Sequence, residues 1–276
     1  MQILINDLKT NRAFAISSFF VLLLIAVALA APLIAPYDPL EAIMQNAYLP
    51  PSAEHLFGTD KLGRDNFSRI LYGASYSLSS VLLLVTIIFA VGTTLGVLAG
   101  YYGGKVDIVI MRISDMMISF PGMILAIAVA GILGGSLINA IIALTIVTWT
   151  KYARLARSMV LKIKKRDFVE AAIVNGGTST HILWKHILPN ILPLMVITAA
   201  SDIGAMMMEL AGLSFLGFGS QPPAPEWGLM LNEGRQQLQT APWLMIFPGL
   251  AIFVTVVIFN LWGDALRDVL DPRQEE

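Results

Sequence analysis

Two acids, Asp202 and Glu209, lie inside the otherwise uncharged run at 190–213. Ionisable groups are expensive in an apolar segment and mark either a transport pathway or a buried pair. They are seven residues apart, close to two helical turns, so they share a face with Thr198 and Met206. Two acids along one stripe favour a cation; the competing reading is that one or both are protonated or hydrogen-bonded to a neighbouring helix. Met206 and Met207 add soft thioethers, which suit Cu(I) or act as adaptable packing. Asp202, Glu209 and Met206 are thus the candidate pathway residues.

Bond-making chemistry has little support. No nucleophile–base pair stands out. The chain has no cysteine, which excludes disulfides and thiolate metal sites. His181 and His186 are five apart, which places them on different faces of an α-helix, and His55 stands alone. All three read as structural or surface residues, and no metal site is expected. There is no G-x-x-x-x-G-K-[ST] segment to cradle a nucleotide's phosphates. A net charge of −1 gives no nucleic-acid signature.

The elements that must position these residues are membrane helices. The 276 residues are 56% hydrophobic and 13% charged, with a mean hydropathy of +0.72. A bilayer core roughly 30 Å thick takes about 20 apolar residues per helical crossing. An uncharged run at 13–37 is too long for a signal peptide's apolar region and predicts an uncleaved first helix over 13–36. A second helix is expected near 78–100, with Gly92, Gly96 and Gly100 four apart on one face, a seam for close helix approach. The uncharged run 116–150 is broken by Gly134-Gly135-Ser136 and predicts two short spans. Runs at 190–213 and 243–263 supply the last two. The expectation is an all-α protein of six spans, the first helix and five more in a permease domain over 78–263, with a segment at 37–77 on the outer side.

Loop charges orient this count, because Lys and Arg gather on the cytoplasmic side. With both termini cytoplasmic, at 1–12 and 264–276, only Lys61, Arg64, Arg69 and Arg235 fall outside, and the other Lys and Arg fall inside. The basic segments flanking 116–150 then share a compartment, which requires an even number of crossings between them. The outer loop after the fifth span contains Gln221-Pro222-Pro223-Ala224-Pro225, which cannot be helical.

The densest cytoplasmic charge is in the loop 151–189. Lys151, Arg154 and Arg157 fall three apart at the inner end of a helix, where their stems can snorkel toward headgroups. Beyond them, Phe168, Val169, Ala172 and Ile173 form an apolar helical stripe, closed by Gly176-Gly177 as a left-handed C-cap would close it. Such a helix fits a groove on another protein or the inner leaflet.

Glu170-Ala171-Ala172, Gly176 and the terminal Leu188-Pro189 resemble the EAA loop of ABC importer permeases. The family pattern ends I-x-L-P, and His186 departs from it at the first position, as in permeases of the peptide and nickel subfamily. Phe57-Gly58-Thr59-Asp60, Gly63-Arg64-Asp65, Ser68-Arg69, Glu226-Trp227-Gly228 and Asn260-Leu261-Trp262-Gly263-Asp264 are similar as well. The resemblance implies a type I importer permease of the inner membrane whose coupling helix docks on an ATPase through Phe168, Glu170, Ala171, Ala172 and Gly176. It also implies a second homologous permease, two ATP-binding subunits and an extracytoplasmic solute-binding protein. This chain would bind no cofactor, ATP and Mg being used by the partner. The implied cargo is nickel, a metal chelate or short peptides, and Asp202-Ile203-Gly204 with Met206-Met207 resembles nickel-type members. The alternative from another class is an ion-driven secondary transporter using Asp202 and Glu209, which would often show internal repeats; none is visible.

Overall fold

A computed structural model describes residues 11–270, which form helices and loops with no strand among them. Helix α1, Arg12–Ile34, begins at Asn11, whose side chain accepts from the N–H groups of Ala13 and Phe14. A compact irregular segment follows. Helix α2, Asn66–Tyr102, starts where the Asp65 carboxylate accepts from the N–H of Ser68 at 2.7 Å. Its 37 residues span about 55 Å. The end of the outer segment from Asn66 and the span expected from Leu78 are therefore one continuous helix, because nothing in between interrupts the backbone ladder.

Helix α3, Gly104–Ile118, and α4, Gly122–Leu133, are bent by 95° at Pro121. Proline disfavours helical backbone in the residue before it, which breaks the run here as well as at Gly134. With 12 residues, α4 is about 18 Å long, short of a crossing. Helix α5 covers Leu137–Ile163. Two short helices follow, α6 at Asp167–Val174 and α7 at Ser179–Ile182, then a π-helical turn at Leu183–Ile187 that runs into α8, Leu188–Phe215. Helix α9, Trp227–Gly234, and α10, Trp243–Leu270, complete the described chain.

Four of these segments are both long and apolar enough to cross a membrane: α1, α2, Ser179–Phe215 and α10, or five if the bent α3–α4 pair counts as one. Six are not confirmed, and the reason lies in 116–150. Its first half is divided by the bend, and the C-terminal half of α5 carries Lys151, Arg154 and Arg157.

Helix α2 is the central post, packed against α1, α5 and α8. The glycine seam lies inside the subunit. A Cβ on Gly92 would stand 2.5 Å from Trp149 O, and one on Gly100 would stand 2.8 Å from Val160 Cβ; Gly96 faces Ala153 and Ala156 of α5 in the same way. Backbone contact of this kind replaces hydrophobic driving force between apolar helices.

Candidate functional site

The two ends of α2 carry different chemistry. At its N-terminal end, Arg64 and Arg69 are 2% and 1% exposed. Arg64 Nε donates to Asp60 at 2.6 Å and its Nη2 reaches both Glu233 oxygens at 3.2 Å, while Arg69 Nη2 donates to Glu233 at 2.8 Å. Two guanidiniums thus face two carboxylates, with Lys61 at the rim, 3.9 Å from Glu233. Charges this deep survive only when matched and hydrogen-bonded. The cluster fastens the loop before α2 to α9. Alongside it, His55 is buried and bonded through Nδ1 to Asp65 at 2.9 Å.

Glu226 caps α9, accepting from the N–H of Gly228 and Leu229 at 2.8 and 2.9 Å. Burial pushes its carboxyl up from the ordinary range, and the two backbone donors partly offset that.

Toward the opposite end of α2, the stripe Lys151, Arg154, Arg157 is engaged by acids rather than left to reach for headgroups. Lys151 Nζ donates to Asp202 at 2.6 and 2.8 Å, and the Tyr152 hydroxyl donates to the same carboxylate at 3.0 Å. Arg154 meets Asp115 at 2.6 Å, and Arg157 meets Asp107 at 2.5 Å, tying α5 to α3. Each of the three basic residues of the stripe therefore finds a carboxylate on a neighbouring helix.

Of the two readings open for Asp202, the hydrogen-bonded pair is the one with a partner in place. Met206 lies in the core, 5% exposed, beside Met207. Glu209, half-buried on the same stripe, makes no hydrogen bond or ion pair among the described residues. The structure thus separates three residues that share one face: Asp202 faces α5, Met206 is packed, and Glu209 has no partner among the described residues.

The loop after α5 begins at Lys164, whose ammonium donates to Tyr101 O at the end of α2 at 2.7 Å. Helix α6 is anchored by Val169, fully buried, with Ala172 half-buried behind it. Phe168 and Ile173 are exposed, so the four-residue stripe is divided between an inward pair and an outward pair. Glu170, Ala171 and Gly176 are exposed as well. Gly176 stands at φ +78°, a left-handed conformation that a side chain would strain, and it turns the chain directly after α6. The outward surface of the loop is apolar at its edges, with Val174 86% and Trp184 70% exposed.

Comparison with known proteins decides what this arrangement is. Residues 92–276 match the model of the binding-protein-dependent transport system inner membrane component family, and residues 1–51 match the N-terminal membrane domain of oligopeptide transport permease C. The chain belongs to this permease family. It is 44% identical to a dipeptide transport system permease, DppC, of Alkalihalophilus pseudofirmus, over 98% of this chain and 89% of that one. It is 48% identical to a glutathione transport system permease, GsiD, of Escherichia coli O157:H7, over 93% and 85%. It is 40% identical to a nickel transport system permease, NikC, of Escherichia coli K12, over 96% of each. An inward-facing structure of the MetNI methionine ABC transporter shares the fold, with a TM-score of 0.58 at 20% identity over 74% of this chain and 97% of that one.

The permease is thus an all-α, multi-pass inner-membrane protein with the ABC importer fold, and α6 carries the family's EAA motif. Two partners escaped sequence reasoning, Lys151 for Asp202 and Glu233 for Arg64 and Arg69. No local spacing signals either, since 51 and more than 160 residues separate them.

Proposed function

We propose that this permease forms half of the membrane pathway of an ATP-driven importer and that α6 docks into a cytoplasmic ATPase. The observation that carries this is the division of α6: Val169 is sealed into the subunit while Phe168, Glu170, Ala171 and Gly176 are presented outward beside Ala172. A helix held by one buried side can transmit rigid-body motion through its free side. The chain lies with both termini cytoplasmic, as its loop charges favour. It works with a second homologous permease, two ATP-binding subunits and an extracytoplasmic binding protein, and ATP with Mg is used by the partner.

The cargo is a short peptide or peptide-like molecule. The relatives named for glutathione and dipeptide transport are 48% and 44% identical, above the 40% of the nickel permease. Asp202, moreover, is already balanced by Lys151, which removes one of the two acids a bare cation would use. The same pair leaves an ion-driven mechanism without half of its coupling site. Glu209 is the pathway residue we retain, while Asp202 and Met206 hold helices together.

Glu170→Ala in the assembled transporter tests the docking. Normal membrane levels with transport and stimulated ATP hydrolysis lost are expected; full transport by the variant would refute it. Titration of the binding protein with dipeptides, glutathione and nickel complexes tests the cargo, with peptide-type binding expected and nickel-only binding overturning it.

A further inference from the structure

His181 and His186 are five residues apart, and in an α-helix that spacing would place them about 140° apart around the axis. The backbone between them is not α-helical throughout. At Leu183–Ile187 it widens into a π turn, in which the N–H of Leu188 bonds to Leu183 O. Hydrogen bonding from i to i+5 brings residues five apart toward a common face, and π turns inside helices are frequent at functional sites. The two imidazole rings accordingly meet, with centroids 5.6 Å apart and planes at 57°.

Both are pinned through the backbone. The N–H of His181 donates to Thr178 Oγ1 at 3.3 Å, and His186 O accepts from Asn190 Nδ2 at 2.6 Å. Neither ring makes a hydrogen bond among the described residues. They border an open groove of about 410 Å³ together with Phe168 and Asn175. The Phe168 ring lies 6.3 Å from that of His186.

We propose that His181 and His186 form a two-imidazole chelate for a divalent first-row transition-metal ion. Imidazole nitrogen suits Zn(II), Ni(II) and Cu(II) alike. Two imidazoles on one tetrahedral ion, with metal–nitrogen bonds of about 2.0–2.1 Å, place their ring centres about 5 Å apart. The observed centroid separation of 5.6 Å is near that value. No set of three His, Asp or Glu converges here among the described residues. The ion therefore takes two protein nitrogens and completes its shell with water or a small ligand in the groove. A bound ion would lock the π turn beside Phe168 of α6. The groove is also lined by Ala171 and Ala172 of the proposed docking face, so the chelate shares that surface, but it rests on the histidine geometry and not on the docking or the cargo.

The test uses the tag-free full chain in lipid nanodiscs, titrated with Zn(II) by calorimetry. One ion per chain is expected. His181→Asn and His186→Asn should each weaken binding by at least about tenfold, as loss of a group that holds a metal does, while Lys185→Gln leaves it unchanged. Absence of binding to the unaltered chain, or undiminished binding in either histidine variant, overturns the proposal. Cu(II) electron paramagnetic resonance on the unaltered chain is independent of how the variants fold: coupling to two imidazole nitrogens is expected, and coupling to one or none overturns the chelate.

Discussion

The two ends of α2 solve opposite problems with similar residue types. At the Arg64 end, two arginines are almost wholly withdrawn from solvent and closed against Asp60 and Glu233 within the same chain. At the Glu170 end, a carboxylate and a phenyl ring stand in the open, with no hydrogen bond or ion pair to Glu170 among the described residues. A buried charge must find its partner inside the fold or destabilise it; an exposed one can wait for a partner from outside. The Arg64 end matches its charges within the chain, with Arg69 Nη1 alone left 3.7 Å from Asp60 and without a hydrogen bond, and the Glu170 end is free to be completed by the docking proposed above.

That contrast can be broken most forcefully at Glu233. Glu233→Ala leaves two buried guanidiniums with one carboxylate, and a loss of about 3–5 kcal/mol is expected in denaturant unfolding of the purified protein. A loss below about 1 kcal/mol would mean that water reaches the cluster and that the two ends are less different than their burial implies.

The same contrast exists within α6 on a smaller scale. Val169→Ala should cost roughly 2 kcal/mol, from the lost methyl groups and the cavity they leave. Phe168→Ala, on the exposed side of the same helix, should stay within about 0.5 kcal/mol of the unaltered protein while lowering transport. Equal destabilisation by the two would show that α6 is clamped on both sides and has no free docking face.

Asp202→Asn probes the middle of the molecule. Lys151 remains solvated and Tyr152 keeps an acceptor, so a cost of about 1 kcal/mol or less is expected, with uptake preserved. Uptake abolished in a stably folded variant would return Asp202 to the pathway beside Glu209.

The smallest effect concerns pH at Glu226. Its carboxyl is raised by burial, so the folded state holds the proton more tightly than the unfolded one. The stability this supplies is present below the ordinary carboxylate range and is lost as pH rises through the raised value. Glu226→Gln should flatten that decline in unfolding measured from about pH 4 upward. An unchanged pH profile would assign the decline to other groups.

Much of the loop was legible because its signals are local. The C-cap at Gly176 needs a left-handed residue directly after the helix, and the sequence has Gly there. The seam at Gly92, Gly96 and Gly100 was legible for a similar reason, since one helical face is defined by spacing alone. The count of spans was harder. Apolarity alone marked 116–150, and Pro121 bends it, so the count of six is not confirmed.

From the sequence alone come the apolar runs, the excess of basic residues in one loop, the helix stops at glycine and the EAA spacing. Each is encoded within a few turns of backbone, where neighbours in sequence are neighbours in space. Tertiary structure alone decided which acid meets Lys151, that Glu233 holds both arginines, that α6 is buried through Val169 and free at Phe168, and that a π turn brings His181 to His186. Those outcomes depend on how each helix is rotated and how distant segments pack, and a partner 51 or 169 residues away leaves no trace in local spacing.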